Sequence, residues 1–472
     1  MIEVGTREGE ILAGAAQDGQ VAPGAAAHVI AELRERGVEW VICAWVDVSG
    51  RPKGKLLPLD RLADAAAGGD LYTPRGLAGV GAAAPAEPEG HTVPDLARAV
   101  PLPTQPDVAW IPSDVHQGDV PFPHCSRSVL RRQVERAAAL GYVVNVGMEC
   151  EVYLLRRDDA GQLVAFASSS KLEPTPLYDV AAALETLPVV RPMADAMASL
   201  GWGVQAFDQE CGQGQVEFDF GYTDALGMAD RFVLFRHLLT EYAKRAGAVV
   251  TFMPKPFEDA WGSGAHVNLS IADLSSGRNL FEAREDPRGL GFSRLAYSAV
   301  GGLLRHAGAI CALGAPTVNS YKRLVPKGAL PDISWAPTLV AYGDNNRSCM
   351  LRLPRSRRCV ENRSTDISCN PYLVLALHVA AALEGIAEEL DPGAPCVEDT
   401  FRMTGAERRA RGWGALPRSL IEAAEALGAD PLAREVLGDE LHRDWVAAKL
   451  REWDEFHTRV SDWERDRYLQ SL

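Results

Sequence analysis

The chain has 472 residues, 47% of them hydrophobic and 24% charged, which suffices for a large apolar core spread over more than one domain. Its formal net charge of −15, with no lysine–arginine run to override it locally, excludes nucleic acid or an anionic membrane surface as the main partner. Nine cysteines, with no Cys-x-x-Cys pair, and the lack of an apolar signal segment at the start point to a soluble protein of a reducing cytoplasm.

Residues 1–23, rich in Gly, Ala and Gln, are expected to be a flexible lead-in, and residues 24–122 a first domain. Ala25 to Arg36 has the pattern of a helix closed by Gly37, where a left-handed cap is easy. Trp40 to Asp47 follows as a buried strand, Val48 to Arg51 as a turn, and Pro52 to Leu57 as a returning strand. Residues 61–90 have the Ala/Gly/Pro composition of loops and small helices. Gly79-Val80-Gly81 is a fragment of a phosphate-binding loop, discounted because no strand and helix frame it. Prolines 94, 101, 103, 106, 112, 121 and 123 mark an extended connection, with the domain boundary near its end. Residues 123–472 form the second domain, where Ser128 opens a helix running to Leu140 and closed by Gly141, and helices then alternate with strands in an α+β arrangement. The apolar stretches 298–318 and 371–390 are broken by Arg305, His306, His378 and Glu384, so neither is a membrane span. In the tail, Trp453, Phe456, Val460 and Trp463 recur at helical spacing and read as core packing.

Two segments of the second domain carry paired carboxylates. In Gly147-Met148-Glu149-Cys150-Glu151-Val152, acids alternate with apolar residues, so Glu149 and Glu151 share one face of a strand. In the second, Glu210 and Glu217 bracket a glycine-rich turn that can fold both back toward one point. Either segment alone reads more simply as an amphipathic strand with solvated glutamates. Gathered together, four like charges demand a cation, and an all-oxygen set suits magnesium or manganese better than zinc. Cys150 and Cys211, set between the acids, are read as small buried residues.

Downstream, His266, Asn268 and Ser270 alternate with Val267, Leu269 and Ile271, which puts three polar groups on one strand face after a glycine turn. For His266 a ligand role and a structural role stand even at this point. Arg323, Arg347, Arg352, Arg358 and Arg363 are embedded among apolar residues and accompany Glu361. Guanidinium groups grip carboxylate and phosphate in a planar, two-pronged way, so the set suggests an anionic, metal-bridged ligand such as a nucleoside triphosphate. No Walker or kinase signature is present.

In order, GMECEVYLL, QECGQGQVEFDF, TFMPKP, GSGAHVNLS, NSYKRLVP, NNRS, LRLP and ENRSTDISCNPYL resemble the glutamine synthetase superfamily, near its γ-glutamylpolyamine and γ-glutamyl-monoamine synthetase branch. The resemblance runs from about residue 30 to the C-terminus. It implies an N-terminal β-grasp-like domain and a catalytic domain of antiparallel sheet flanked by helices. It further implies a cytoplasmic homo-dodecamer of two hexameric rings, with ATP and two or more Mg2+ or Mn2+ ions at sites between neighbouring subunits. Carried over residue by residue, Glu151, Glu210 and Glu217 hold one ion, and Glu149, His266 and Glu361 the other. Arg323 grips the α-carboxylate of glutamate, beside Gly262 in the same substrate site. Arg347, Arg352, Arg358 and Arg363 surround the transferred phosphoryl group, and Tyr222, Asn268 and Ser270 meet the nucleotide. The implied reaction moves the γ-phosphoryl of ATP to the γ-carboxylate of glutamate and lets an amine expel phosphate from the acyl phosphate.

The departures from the family pattern concern the amine. The Asp-Gly-Ser-Ser segment of ammonium users is replaced by Asp70-Leu71-Tyr72-Thr73, and the acidic flap by Val325 to Trp335, where Asp332 is the acid. Selecting a small desolvated cation requires anions. Their loss, with Trp335 or Tyr72 available to line a pocket, favours an amine larger than ammonia. Trp261 stands where the family often has a substrate-touching asparagine, and Phe401 where adenylylated relatives carry a tyrosine, which removes that control. The alternatives are a glutamine synthetase whose Asp332 rebuilds the ammonium site, and a catalytically silent scaffold. The retention of all six implied metal ligands argues against silence.

Overall fold

The computed structural model describes residues 23–77, 85–167, 176–326 and 334–470; Gly79 to Gly81 and Asp332 lie outside them. The chain divides into two compact units that interleave in sequence. The first takes the chain up to Trp45 with residues 54–73 and 88–122, and the second takes 46–53, 74–87 and everything from Pro123.

In the first unit, α1 (Pro23–Glu35) ends just before Gly37, whose φ of +81° gives the left-handed turn that a β-carbon would strain. Its strands include β1 (Trp40–Val46), β2 (Leu71–Tyr72), β3 (Gly90–Pro94) and β4 (Gln105–Gln117). β1 pairs parallel with β4, which pairs antiparallel with β3, and β3 with β2. Val41 and Cys43 from β1 join Ala109 and Ile111 from β4 and Leu33 from α1 in one apolar core. The expected return over Pro52 to Leu57 is instead two short strands, Pro52–Lys53 and Leu56–Pro58. The proline-rich connection is also corrected. Pro94, Pro106 and Pro112 sit inside β3 and β4, because proline's fixed φ suits an extended chain and costs only one donor. Asp70 is bound up locally, accepting from the Tyr72 hydroxyl at 2.8 Å and from Thr92 Oγ1 at 3.1 Å.

The second unit is built on β5 (Tyr142–Arg157), a 16-residue strand preceded by α2 (Ser126–Ala139). There follow β6 (Val204–Gln209), β7 (Gln215–Phe220), α3 (Ala225–Arg245), β8 (Ala265–Asp273), α4 (Arg294–Arg305), β9 (Leu339–Asp344), β10 (Cys349–Leu353), β11 (Val360–Asn362) and α5 (Pro371–Ala387). The sheet order is β6-β7-β5-β8-β11-β10-β9. Its pairings are antiparallel as expected, except that β9 and β10 run parallel. One face is apolar. Val146, Met148, Cys150 and Val152 of β5 are buried there, and Phe218 of β7 meets Phe235 of α3 edge-on at 5.3 Å.

The helical layer is close-packed where α4 crosses α5. A β-carbon on Gly302 would come within 1.9 Å of the Ala381 carbonyl oxygen, and one on Gly385 within 2.2 Å of that of Ser298. Gly302→Ala is therefore expected to destabilise the protein by about 1–3 kcal/mol through overpacking, read as a lower midpoint in chemical denaturation. An unchanged midpoint would show that the helices separate freely.

The tail reverses its expectation. Of α6 (Asp439–His457) only Leu441, His442 and Trp445 are buried, while Phe456, Val460 and Trp463 are exposed, the last lying in α7 (Asp462–Tyr468). Helical spacing identifies an apolar stripe but not what covers it, and here Trp453 stacks on His457 at 5.3 Å while Lys322 lies over the Phe456 ring at 5.7 Å. Among the described residues no helix is long and apolar enough to cross a membrane.

Candidate active site

The polar face of the second unit's sheet collects the acids by register. Residues directly opposite on paired strands project to the same side. Glu217 lies opposite Glu151 and Asp208 opposite Glu217, His266 opposite Glu149, Glu361 opposite Asn268, and Arg352 opposite Glu361. A cavity of about 710 Å³ opens over this face.

Two triplets stand out. Ligand atoms of Glu151, Glu210 and Glu217 lie within 4.8 Å of one another, as do those of Glu149, His266 and Glu361. These are the same groupings that the family resemblance implies. A third set, Asp208, Glu217 and Asp219, meets the same limit. Carboxylate-rich donor sets of this kind fit Mg2+ or Mn2+.

The electrostatics of the two halves differ. Glu149 is held well below the usual carboxylate range: burial pushes it up, but the His266 hydrogen bond at 3.1 Å and the Arg357 guanidinium at 3.0 Å outweigh that. Glu361, fully buried, accepts from Arg352 Nη1 at 2.6 Å and from Arg363. On the other side Glu210 is pushed up to about 7 and Glu217 well above its ordinary value, by burial first and then by the Glu151 charge. Asp219 also reaches about 7, through burial and Glu149. Glu151 takes hydrogen bonds from Gly264 N at 2.7 Å and from Gln215 Nε2 at 3.3 Å. A trio of acids with so little local compensation is the arrangement that a divalent cation neutralises.

Arg323, Arg347, Arg352 and Arg363 line the cavity. Arg323, on a short helix (Ser320–Arg323), is buried and donates to the Arg363 carbonyl at 3.0 Å. Burial lowers its pKa, and the Glu151 charge opposes that shift. Gly262 and Gly264 let it in. A β-carbon at Gly262 would stand 2.5 Å from Arg323 Cγ, and one at Gly264 would stand 2.7 Å from both its Nη2 and His266 Nε2.

Not every candidate converges. Asn268 donates to Glu149 at 3.1 Å, but Tyr222 and Ser270 fall outside the cavity lining, farther along the sheet face past Gly147. Arg358 turns away, donating to the Arg355 carbonyl at 2.8 Å and lying over the Phe292 ring. Its neighbour Arg357 reaches Glu149 instead. Residues 354–359 form an irregular loop, where alternation predicts no facing. Asp208 and Asp219 were legible, since each is two residues from a candidate glutamate and so shares its face. Leu177, Tyr178 and Trp335 also line the cavity; Trp335 is half-exposed, with φ of +53°. Trp261 lines it too, and its indole N–H is buried without a partner among the described residues.

Residues 123–468 match the family model described as glutamine synthetase, catalytic domain. The glutamate–methylamine ligase of Methyloversatilis universalis is 36% identical over 438 residues, 93% of this chain and 98% of that protein. The glutamine synthetase of Rhizobium meliloti is 32% identical over 440 residues, 92% of this chain and 98% of that one. Among solved structures, GmaS in complex with ADP superposes with a TM-score of 0.85 at 34% identity, covering 93% of this chain and 99% of the other. With two carboxylate-rich clusters and five arginines, Arg357 among them, around one cavity, and with matches of this extent, the chain belongs to the glutamine synthetase family.

Proposed function

We propose that the protein is an ATP-dependent ligase that joins the γ-carboxylate of glutamate to a small primary alkylamine in preference to ammonium. Glutamate–amine ligation in general is supported by the relatives. The choice of amine rests on one observation: Leu177, Tyr178 and Trp335 bring apolar surface to the cavity that holds Glu210 and Glu217. The carboxylates draw in an alkylammonium ion, and the apolar side chains favour its alkyl group over water. Glu151, Glu210 and Glu217 would hold one divalent ion, and Glu149, His266 and Glu361 the other. When bound, the ions supply charge neutralisation for two anions brought together. Arg323 grips the amino acid's carboxylate, while Arg347, Arg352 and Arg363 stabilise the transferred phosphoryl group. Arg357, through Glu149, positions the second set. The exposed Phe456, Val460 and Trp463 support association with further copies into a dodecamer, which sedimentation of a monomer at assay concentration would contradict.

ADP formation with ATP, Mg2+, glutamate and single acceptors tests the reading. Methylamine and ethylamine are expected to support turnover at kcat/KM at least about tenfold above ammonium, the worth of one to two buried methyl groups. Ammonium winning would favour the glutamine synthetase reading, which the acids Asp208 and Asp219 in the same cavity would then explain.

The metal proposal has a pH signature. Glu210 and Asp219, both at about 7, stand above the ordinary 4.5 and 3.8. The folded protein thus keeps protons that the unfolded chain releases. The stability this gives is complete below the ordinary carboxylate values and is lost as pH rises through 7. Cation-free protein is expected to melt at lower temperature at pH 8 than at pH 6. The rise in melting temperature on adding Mg2+ is expected to be larger at pH 8. Equal Mg2+ shifts at the two pH values would contradict ion binding by these carboxylates.

A further inference from the structure

We propose that a second cavity in the catalytic unit binds a small organic dianion, a dicarboxylate or a phosphomonoester carried on a short apolar body. This cavity, of about 610 Å³, shares no lining residue with the one over the acidic sheet face. Its charged lining is Arg51, Arg236, Lys449 and Glu452, and its apolar surface comes chiefly from Phe252, Met253 and Trp445.

The charges do not balance. Glu452 is taken up twice, by Lys449 Nζ at 2.8 Å and by the Val318 amide at 3.2 Å. That pair cancels and leaves two guanidinium groups. Among the described residues neither Arg51 nor Arg236 has a carboxylate within ion-pair distance. Arg236 donates to the Cys369 carbonyl at 3.1 Å and is flanked by the rings of Phe232 and Phe252, 5.6 and 5.2 Å away. A guanidinium carries five N–H donors, so most of its hydrogen-bonding capacity is unspent. Burial lowers its pKa, with Cys369 and Cys150 opposing, and the Arg51 charge adds a smaller push downward.

A cation held away from water without a counter-charge is unfavourable, and the usual remedy is a carboxylate or phosphate gripped by the fork. Arg236, part-buried, and Arg51, exposed at the rim, both face a cavity with an aromatic wall and together select a ligand with two negative charges and an apolar portion. The inference does not depend on the proposed acceptor. The wall between the cavities is thin: Pro254, in this one, accepts from the Ser263 amide at 2.7 Å, and Ser263 follows Gly262 of the other.

Isothermal titration of the full-length protein with glutarate, phenyl phosphate and inorganic phosphate tests the proposal, run on wild type, Arg51→Gln and Arg236→Gln. Saturable binding of glutarate or phenyl phosphate is expected, weakened at least about tenfold in both variants, as loss of a charge-assisted hydrogen bond implies. Which of the two probes binds tells a dicarboxylate from a phosphomonoester. Arg51 is exposed, so Arg51→Gln keeps the test valid should Arg236→Gln fold poorly. Failure of both organic probes to bind, or affinities unchanged in Arg51→Gln, would overturn the proposal; probe binding at the acidic cavity alone would leave the variants unaffected.

Discussion

Glu361→Gln lowers turnover by about 10²–10³-fold or more, the size of effect seen when one preorganised charge partner is removed from a reacting centre. Glu361 has no solvent exposure and sits between Arg352 and Arg363 as well as within the triplet with Glu149 and His266. Its loss therefore acts twice: one divalent-ion ligand is weakened, and two guanidinium groups lose the carboxylate that aims them. Glu361→Ala is the harsher change, costing about 3–5 kcal/mol of stability because it strands buried charge. The glutamine variant keeps the shape and isolates the chemical effect. Steady-state ADP formation, with folding checked by circular dichroism, reads it. Wild-type turnover in a folded Glu361→Gln protein would mean that this carboxylate plays no part in the reaction.

Arg127→Met is expected to cost about 3–5 kcal/mol of stability without acting on the site. Arg127 of α2 forms a two-pronged pair with Asp230 of α3, Nε to Oδ1 and Nη2 to Oδ2, both at 2.9 Å. The Tyr372 hydroxyl of α5 donates to the same carboxylate at 2.7 Å. Three helices behind the sheet are thus tied at one buried point. Removing the arginine takes both guanidinium hydrogen bonds away from a buried carboxylate that still accepts from Tyr372. The double variant Arg127→Met/Asp230→Leu should recover most of the loss, because an apolar pair can replace a buried ion pair at little cost. Chemical denaturation of the single and double variants tests this. A double variant as unstable as the single would mean that packing, and not the stranded charge, sets the penalty.

Much of the site was legible because strands make alternation informative. Glu149 and Glu151 two apart, and His266 and Asn268 two apart, had to share faces. Sequence alone could not give the pairing that places Glu149 opposite His266 and Glu361 opposite Asn268. The order of motifs supplied those groupings through the family resemblance. What stayed hidden lies where periodicity has no meaning. Arg357 and Arg358 are adjacent in an irregular loop, and nothing local says which of them turns toward Glu149. The prolines between 94 and 112 suggested a connection because they cannot donate a hydrogen bond, yet β3 and β4 accommodate Pro94, Pro106 and Pro112 within the sheet. The tail's apolar stripe was visible, but exposure depends on neighbours outside the stripe, and among the described residues Val460 and Trp463 stay exposed.

A competition between amines reads the choice of acceptor in a single reaction. Equal concentrations of ammonium and methylamine are incubated with the protein, glutamate, ATP and Mg2+, and the products are resolved by mass. γ-Glutamylmethylamide is expected in at least about tenfold excess over glutamine, in step with the apolar surface of Leu177, Tyr178 and Trp335. Glutamine as the main product would overturn the preference for an alkylamine.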